Sequence, residues 1–137
     1  MESHIVGIHH IGIVVSDIQA KSDIYVNTFG YTPESDIIPE NNQKVIVQFL
    51  SLGETRIELI QPMDEDSPVY KFLQKGGIIN HICYETDDVD EAVKYLRKQY
   101  RAVLTYSVNW SESLEKCRYA FLAKPDGEVI ELLQFMD

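Results

Sequence analysis

The sequence predicts an α+β fold made of two βαβββ modules, one after the other in the chain. Three observations carry that prediction. The order of strand, helix and further strands occurs twice. Each half opens on a histidine that begins an apolar strand, and each carries a glutamate in the middle of a later one. The first half runs His10-Ile11-Gly12-Ile13-Val14-Val15 and later Arg56-Ile57-Glu58-Leu59-Ile60-Gln61. The second runs His81-Ile82-Cys83-Tyr84 and later Val129-Ile130-Glu131-Leu132-Leu133-Gln134. A doubly wound fold would instead alternate strands and helices regularly. Module 1 is expected over about 5–62, a connector helix over about 63–76 and module 2 over about 77–137, all within one 137-residue domain. A core of that size needs no covalent staples.

In the first half, the β-branched run Ile8 to Val15 reads as a strand. Ser16 followed by Gln19 has the form of a capping box, so a helix should start near Asp17 and run to Phe29. Gly30 is its natural stop. Tyr31 to Gln43, with Pro33 and Pro39, reads as a connection that carries a short strand. Val45 to Leu52 and Thr55 to Gln61 are strands joined at Gly53-Glu54. Ser67 as N-cap, Pro68 as first helical residue and Gly76-Gly77 as terminator define the connector helix, Pro68 to Lys75. In the second half, Ile79 to Thr86 is a strand, and Asp87 or Asp88 caps a helix bearing Val89, Val93, Leu96 and Tyr100. Ala102 to Val108 is a further strand and Asn109 to Glu115 a loop. Arg118 to Ala123 and Glu128 to Phe135 are strands joined through the turn Lys124-Pro125-Asp126-Gly127.

Composition narrows the partners. A formal charge of −10 repels nucleic acid and anionic membrane, so neither is expected as a partner. The same charge suits a cation site, and it fits awkwardly with a polyphosphate ligand unless lysines and arginines cluster locally. No apolar run approaches the ~20 residues of a membrane span. Met1-Glu2-Ser3-His4 lacks the basic start and apolar core of a signal peptide, so a cytoplasmic location is expected. Cys83 and Cys117 lack CxxC spacing and make no disulfide framework. Cys83 follows His81 by two residues, so a strand turns both to one face; a small buried hydrophobe is its simplest role.

Packing about a pseudo-twofold axis would bring both His/Glu pairs to a common centre. Two imidazoles and two carboxylates then make a four-ligand site for a divalent metal, with His10, Glu58, His81 and Glu131 as ligands. The physical argument is the cost of burial. An ionised carboxylate in an apolar strand costs several kcal/mol unless a metal or a basic group compensates it. The competing expectation is plain alternation, in which each glutamate points to water. A mixed nitrogen–oxygen set suits Zn, Ni, Co, Mn or Fe(II), and ligand softness does not choose among them. The second carboxylate argues against the two-histidine, one-carboxylate set of iron oxygenases. His9 should face away from His10 in a regular strand; by register it matches Asn80, and both are rim candidates. Trp110, Tyr106 and Tyr119 are candidates for a pocket mouth.

These residues resemble the vicinal oxygen chelate superfamily, which includes glyoxalase I, methylmalonyl-CoA epimerases, extradiol dioxygenases and the fosfomycin- and bleomycin-resistance proteins. The resemblance spans about Ile8 to Phe135. It is closest to the methylmalonyl-CoA epimerases over Gly53 to Pro62, Asp66-Ser67-Pro68, Phe72 to Lys75, His81 to Glu85 and Asp87-Asp88-Val89. It implies a glyoxalase-like fold whose mixed sheets curl into a cleft, with His10, Glu58, His81 and Glu131 at the family's metal positions. It also implies a small-molecule substrate, an acyl thioester or hemithioacetal, and a homodimer in which modules can be exchanged. The chemistry implied is proton transfer at the carbon beside a carbonyl or thioester, with Glu131 or Glu58 as the base. Two alternatives stay open: the hemithioacetal isomerisation of a lactoylglutathione lyase, and non-catalytic binding or resistance. The chain departs from the epimerase pattern at Asn80, in Asn109 to Glu115 and in Ala123-Lys124-Pro125-Asp126-Gly127. No carboxylate lies near Val45, Val47 and Gln48 in the sequence, and Gln48 cannot act as a base.

Overall fold

Apolar, β-branched runs become strands here, and the polar breaks between them become turns and helix caps. The computed structural model describes residues 2–137. In chain order it has β1 (Ile5–Val14), α1 (Ile18–Ile24), β2 (Thr32–Pro33), β3 (Ile38–Glu40), β4 (Val45–Leu52), β5 (Thr55–Pro62) and α2 (Tyr70–Gln74). There follow β6 (Ile79–Thr86), α3 (Val89–Tyr95), β7 (Val103–Trp110), β8 (Cys117–Ala123) and β9 (Val129–Phe135). The architecture is α+β with mixed sheet: β1 with β5 and β6 with β9 are parallel pairs, while β4 with β5 and β8 with β9 are antiparallel.

The chain forms two compact units. One is His10–Asn80; the other joins the residues up to His9 to His81–Asp137. β1 therefore gives its second half to one unit and its first half to the other. In the unit His10–Asn80, β5 lies between β1 and β4, with Gly12 beside Glu58 and Glu58 across from Phe49. β2 and β3 both pair with β4, which places Glu40 opposite Val45. α1 covers one face over a core of Val15, Ile18, Leu50, Ile57 and Leu59. In the other unit, β9 lies between β6 and β8, with Cys83 beside Glu131 and Glu131 across from Phe121. α3 covers a core of Val89, Ala92, Val93, Leu96, Ala120, Leu122, Ile130 and Leu132.

Both large helices end alike. α1 widens into a π-type turn over Tyr25–Phe29 and stops at Gly30, φ 84°. α3 widens over Leu96–Tyr100 and stops at Arg101, φ 57°. A second pair of left-handed residues, Lys44 and Lys116, stands immediately before β4 and β8. Their carbonyls accept the amides of Met63 at 2.8 Å and Met136 at 2.6 Å, closing the strand pairs at matching places in the two units.

Element boundaries differ from expectation where a side chain chose another partner. β1 begins three residues earlier than Ile8, because Asp87 N–H bonds His4 O (3.1 Å) and draws the N-terminal segment into the sheet. The cap of α1 is Asp17, not Ser16: Asp17 Oδ1 accepts from Ala20 N–H, while Gln19 turns to Asp23. α2 is shorter than Pro68 to Lys75. Ser67 Oγ reaches Gln43 O at 3.5 Å instead of capping, and a turn closed by Tyr70 N–H to Ser67 O precedes the helix. Asn109 and Trp110, expected in a loop, extend β7 past its two register shifts.

Two outcomes follow. Arg101→Gly should raise stability by about 1 kcal/mol, since an L-residue in the left-handed region costs roughly that much, and Gly30→Ala should lower it by a similar amount; the midpoints of urea unfolding measure both. His4 Nδ1 stands 2.7 Å from Asp87 Oδ1, and that hydrogen bond raises the His4 pKa above its ordinary 6.5. The clasp therefore stabilises fully below pH 6.5 and is lost as pH rises through the higher folded value. Hydrogen exchange at the β1 N-terminus should quicken, beyond its intrinsic rise, across that window in the wild type and not in Asp87→Asn.

Candidate metal centre

Neither glutamate points to water. Glu58 and Glu131 each keep 8% of their surface exposed, against the plain alternation weighed from sequence. Each meets a histidine of its own unit. His10 Nε2 lies 3.2 Å from Glu58 Oε1, and His81 Nε2 lies 3.0 Å from Glu131 Oε1.

The local geometry that produces these contacts is the same in both units. His10 lies two residues before Gly12, which is beside Glu58; His81 lies two residues before Cys83, which is beside Glu131. Residues two apart share a strand face, so each histidine stands on its glutamate's side. The partner across the antiparallel ladder is Phe49 in one unit and Phe121 in the other. Each sits edge-on to the histidine ring, at 5.4 Å from His10 and 5.3 Å from His81. Aromatic edges fix the imidazole planes and keep water off the pair.

A third shared feature anchors the strands. Gln61 Oε1 accepts from Ile18 N–H, and Gln134 Oε1 accepts from Val89 N–H, both at 2.9 Å. The glutamine three residues after each glutamate thus satisfies an otherwise unpaired amide in the first turn of the covering helix.

Each pair fits a divalent cation. Nitrogen and oxygen ligands at roughly 2.0–2.2 Å from an ion stand roughly 3.0–3.4 Å apart when adjacent in its coordination sphere. Both observed separations fall in that interval. Two imidazoles and two carboxylates suit borderline ions such as Zn, Ni, Co or Mn.

Sequence reasoning missed Glu40. It is a third buried carboxylate, 6% exposed, in a stretch read as connection. Antiparallel partners share a face, so Glu40 stands with Val45, Val47 and Phe49 on the side of Glu58. The region without a carboxylate in the sequence therefore gains one through the ladder. The signal was Ile37-Ile38 just before Pro39, an edge-strand pattern. Gln48 lies on the opposite, helix-covered side with Leu59, and its Nε2 donates to Ser35 O.

His9 is buried and not at a rim. Its ring lies 5.5 Å from that of Phe135, which is on the Glu131 side of β9. His10 is on the Glu58 side. Tyr119 belongs to the core with Cys83, Cys117 and Leu133, stacked on Tyr106, while Trp110 is exposed. Asn80 is half-buried.

The chain is similar to several known proteins. A family model described as Glyoxalase/Bleomycin resistance protein/Dioxygenase superfamily matches residues 9–121. Methylmalonyl-CoA epimerase, mitochondrial, of Homo sapiens is 37% identical over 94 residues, 67% of this chain and 53% of that protein. The chain thus spans about half the length of that relative. The crystal structure of methylmalonyl-CoA epimerase from Mycobacterium tuberculosis matches with a TM-score of 0.86 at 26% identity, covering 100% of this chain and 93% of the other. A methylmalonyl-CoA epimerase in complex with methylmalonyl-CoA and NH4+ matches with a TM-score of 0.82 at 27% identity, covering 95% and 94%.

Gln61→Ala and Gln134→Ala should each cost about 1 kcal/mol by leaving a helix-start amide unpaired. Equal losses from the two variants, read by chemical unfolding, would confirm that the caps are equivalent.

Proposed function

The chain belongs to the glyoxalase/bleomycin resistance protein/dioxygenase superfamily, and from that premise we propose that it is a divalent-cation-dependent epimerase of a methylmalonyl-CoA-like acyl thioester. The observation that carries the reading is the doubled, buried His–Glu pair at the spacing of adjacent metal ligands. His10, Glu58, His81 and Glu131 would hold one ion jointly. Such an ion, when bound, would supply positive charge where negative charge develops on the substrate's oxygen.

The protein's own groups move the proton. The C2 hydrogen of a methylmalonyl thioester is acidified by the carbonyl beside it. A carboxylate takes that proton, and the C–H electron pair passes into the thioester as an enolate. Return of a proton to the opposite face of C2 inverts the centre, which calls for acid–base groups on two sides of one carbon. Three buried carboxylates are available: Glu58, Glu131 and Glu40. Glu131 or Glu58 is the first base, as the sequence implied, and Glu40 is the candidate for the other face. Their apolar strands exclude the water that would otherwise quench the enolate. A cytoplasmic homodimer belongs to the same reading; among the described residues no helix is long and apolar enough to cross a membrane.

Metal content by plasma mass spectrometry is the first test, with wild type beside a His81→Ala, Glu131→Ala variant. Near-stoichiometric metal should be present in the first and absent from the second. With methylmalonyl-CoA in heavy water, wild type should exchange the C2 proton for deuterium. Glu131→Gln and Glu40→Gln should each slow epimerisation by roughly 10²–10⁴-fold. Exchange of hemithioacetal protons instead would assign the lyase chemistry. A protein that takes up no Zn, Ni, Co or Mn and exchanges neither substrate is a binding module, and the proposal fails.

A further inference from the structure

The chain carries 22 acidic residues against 12 basic ones, yet one stretch reverses that balance. From Ala92 to Ser111 there is no aspartate or glutamate, and Lys94, Arg97, Lys98 and Arg101 fall close together in it. Their spacing of three, four and seven residues is that of one helix face. All four are exposed. Lys94 pairs with Glu91 at 3.1 Å, whereas Arg97, Lys98 and Arg101 have no ion-pair partner among the described residues. A fifth cation is fixed beside them. Lys124 Nζ donates to Tyr100 O at 2.9 Å and lies 3.8 Å from the centre of the Tyr100 ring. Tyr100 Oη donates to Glu128 at 2.6 Å, so the helix end is pinned to the β8–β9 turn.

The fold does not call for this charge. Cations do suit a helix C-terminus, but α1 widens and stops in the same way over Tyr25–Phe29, a turn that carries no charge. Like charges at these spacings repel one another. Arg101 adds strain, since it holds φ 57° where the other unit has Gly30. An anion seated on the stripe offsets the repulsion.

We propose that this stripe binds the phosphate groups at the nucleotide end of the acyl thioester, with Arg97, Lys98 and Arg101 as their ligands and Lys124 beside them. Guanidinium and ammonium groups recognise phosphate through charge-assisted hydrogen bonds. All of these residues belong to the unit that contains His81 and Glu131. Glu128, tied to Tyr100, stands three residues before Glu131, roughly 10 Å along the strand. A pantetheine arm that leaves the Glu131 face at this end of the sheet carries its phosphates round the turn to the helix. The identity of the ligand rests on the epimerase reading; the anion site does not.

The test is calorimetric titration of the full chain with CoA and with its adenosine bisphosphate fragment, neither of which carries the acidic C–H. Wild type should bind both, more weakly as salt rises. The Arg97→Gln, Lys98→Gln, Arg101→Gly variant should bind both about 10-fold more weakly or worse, even though its glycine relaxes the backbone. Lys71→Gln, Lys75→Gln, in the connector of the other unit, should bind as wild type does. A wild type that binds neither ligand, or a triple variant that binds them undiminished, would overturn the proposal. Should the triple variant not fold, Lys98→Glu alone carries the test with the same expected direction. Weakened binding in the variant with no C2 exchange by wild type keeps the anion site and rejects the epimerase reading. Exchange by wild type with undiminished binding in the variant does the reverse.

Discussion

Burial of two glutamate side chains inside apolar strands is the constraint on which this structure turns. Ile57, Leu59 and Ile60 surround Glu58 with buried neighbours, and Ile130, Leu132 and Leu133 do the same for Glu131. A carboxylate in that setting costs several kcal/mol without a partner. The chain answers identically twice, with an imidazole near 3 Å and an aromatic edge over it. Other parts follow from that answer. The parallel pairs β1/β5 and β6/β9 exist to set histidine and glutamate on one side, and the antiparallel neighbours β4 and β8 bring the phenylalanine.

Much of this was legible before any coordinates. The α+β class, the strands from Val45 to Leu52 and from Ile79 to Thr86, the Gly30 stop and the His–Glu pairing all follow from apolar periodicity and a repeat of residue types. Repetition was the stronger guide, because a lone strand glutamate is more often solvent-facing. Part of what escaped was a local choice and part was set by contacts distant in sequence. The Asp17 cap competed locally with Ser16, and only geometry decides between adjacent oxygens. Ser67 left its helix for the Gln43 carbonyl. Glu40 became a face residue through a three-residue edge strand. None of these leaves a periodic trace in one sequence.

The duplication also exposes where the halves have diverged. Gly30 corresponds to Arg101, and Gly12 to Cys83. The first difference adds backbone strain at a helix end; the second adds sulfur chemistry to a ligand face. Lys44 and Lys116, by contrast, keep the same left-handed backbone at the same point before a strand.

The glutamine caps have a kinetic meaning. Because Gln61 and Gln134 lie three residues beyond the glutamates, the first turn of each helix is completed only when the distant ligand strand has arrived in register. A strand that slipped by one residue would turn its glutamate to the other face and withdraw its glutamine from the helix start at the same time. Misregistered intermediates therefore lose two interactions together, and the chain checks the alignment of its future ligands while it folds, before any ion or substrate is there to reward it.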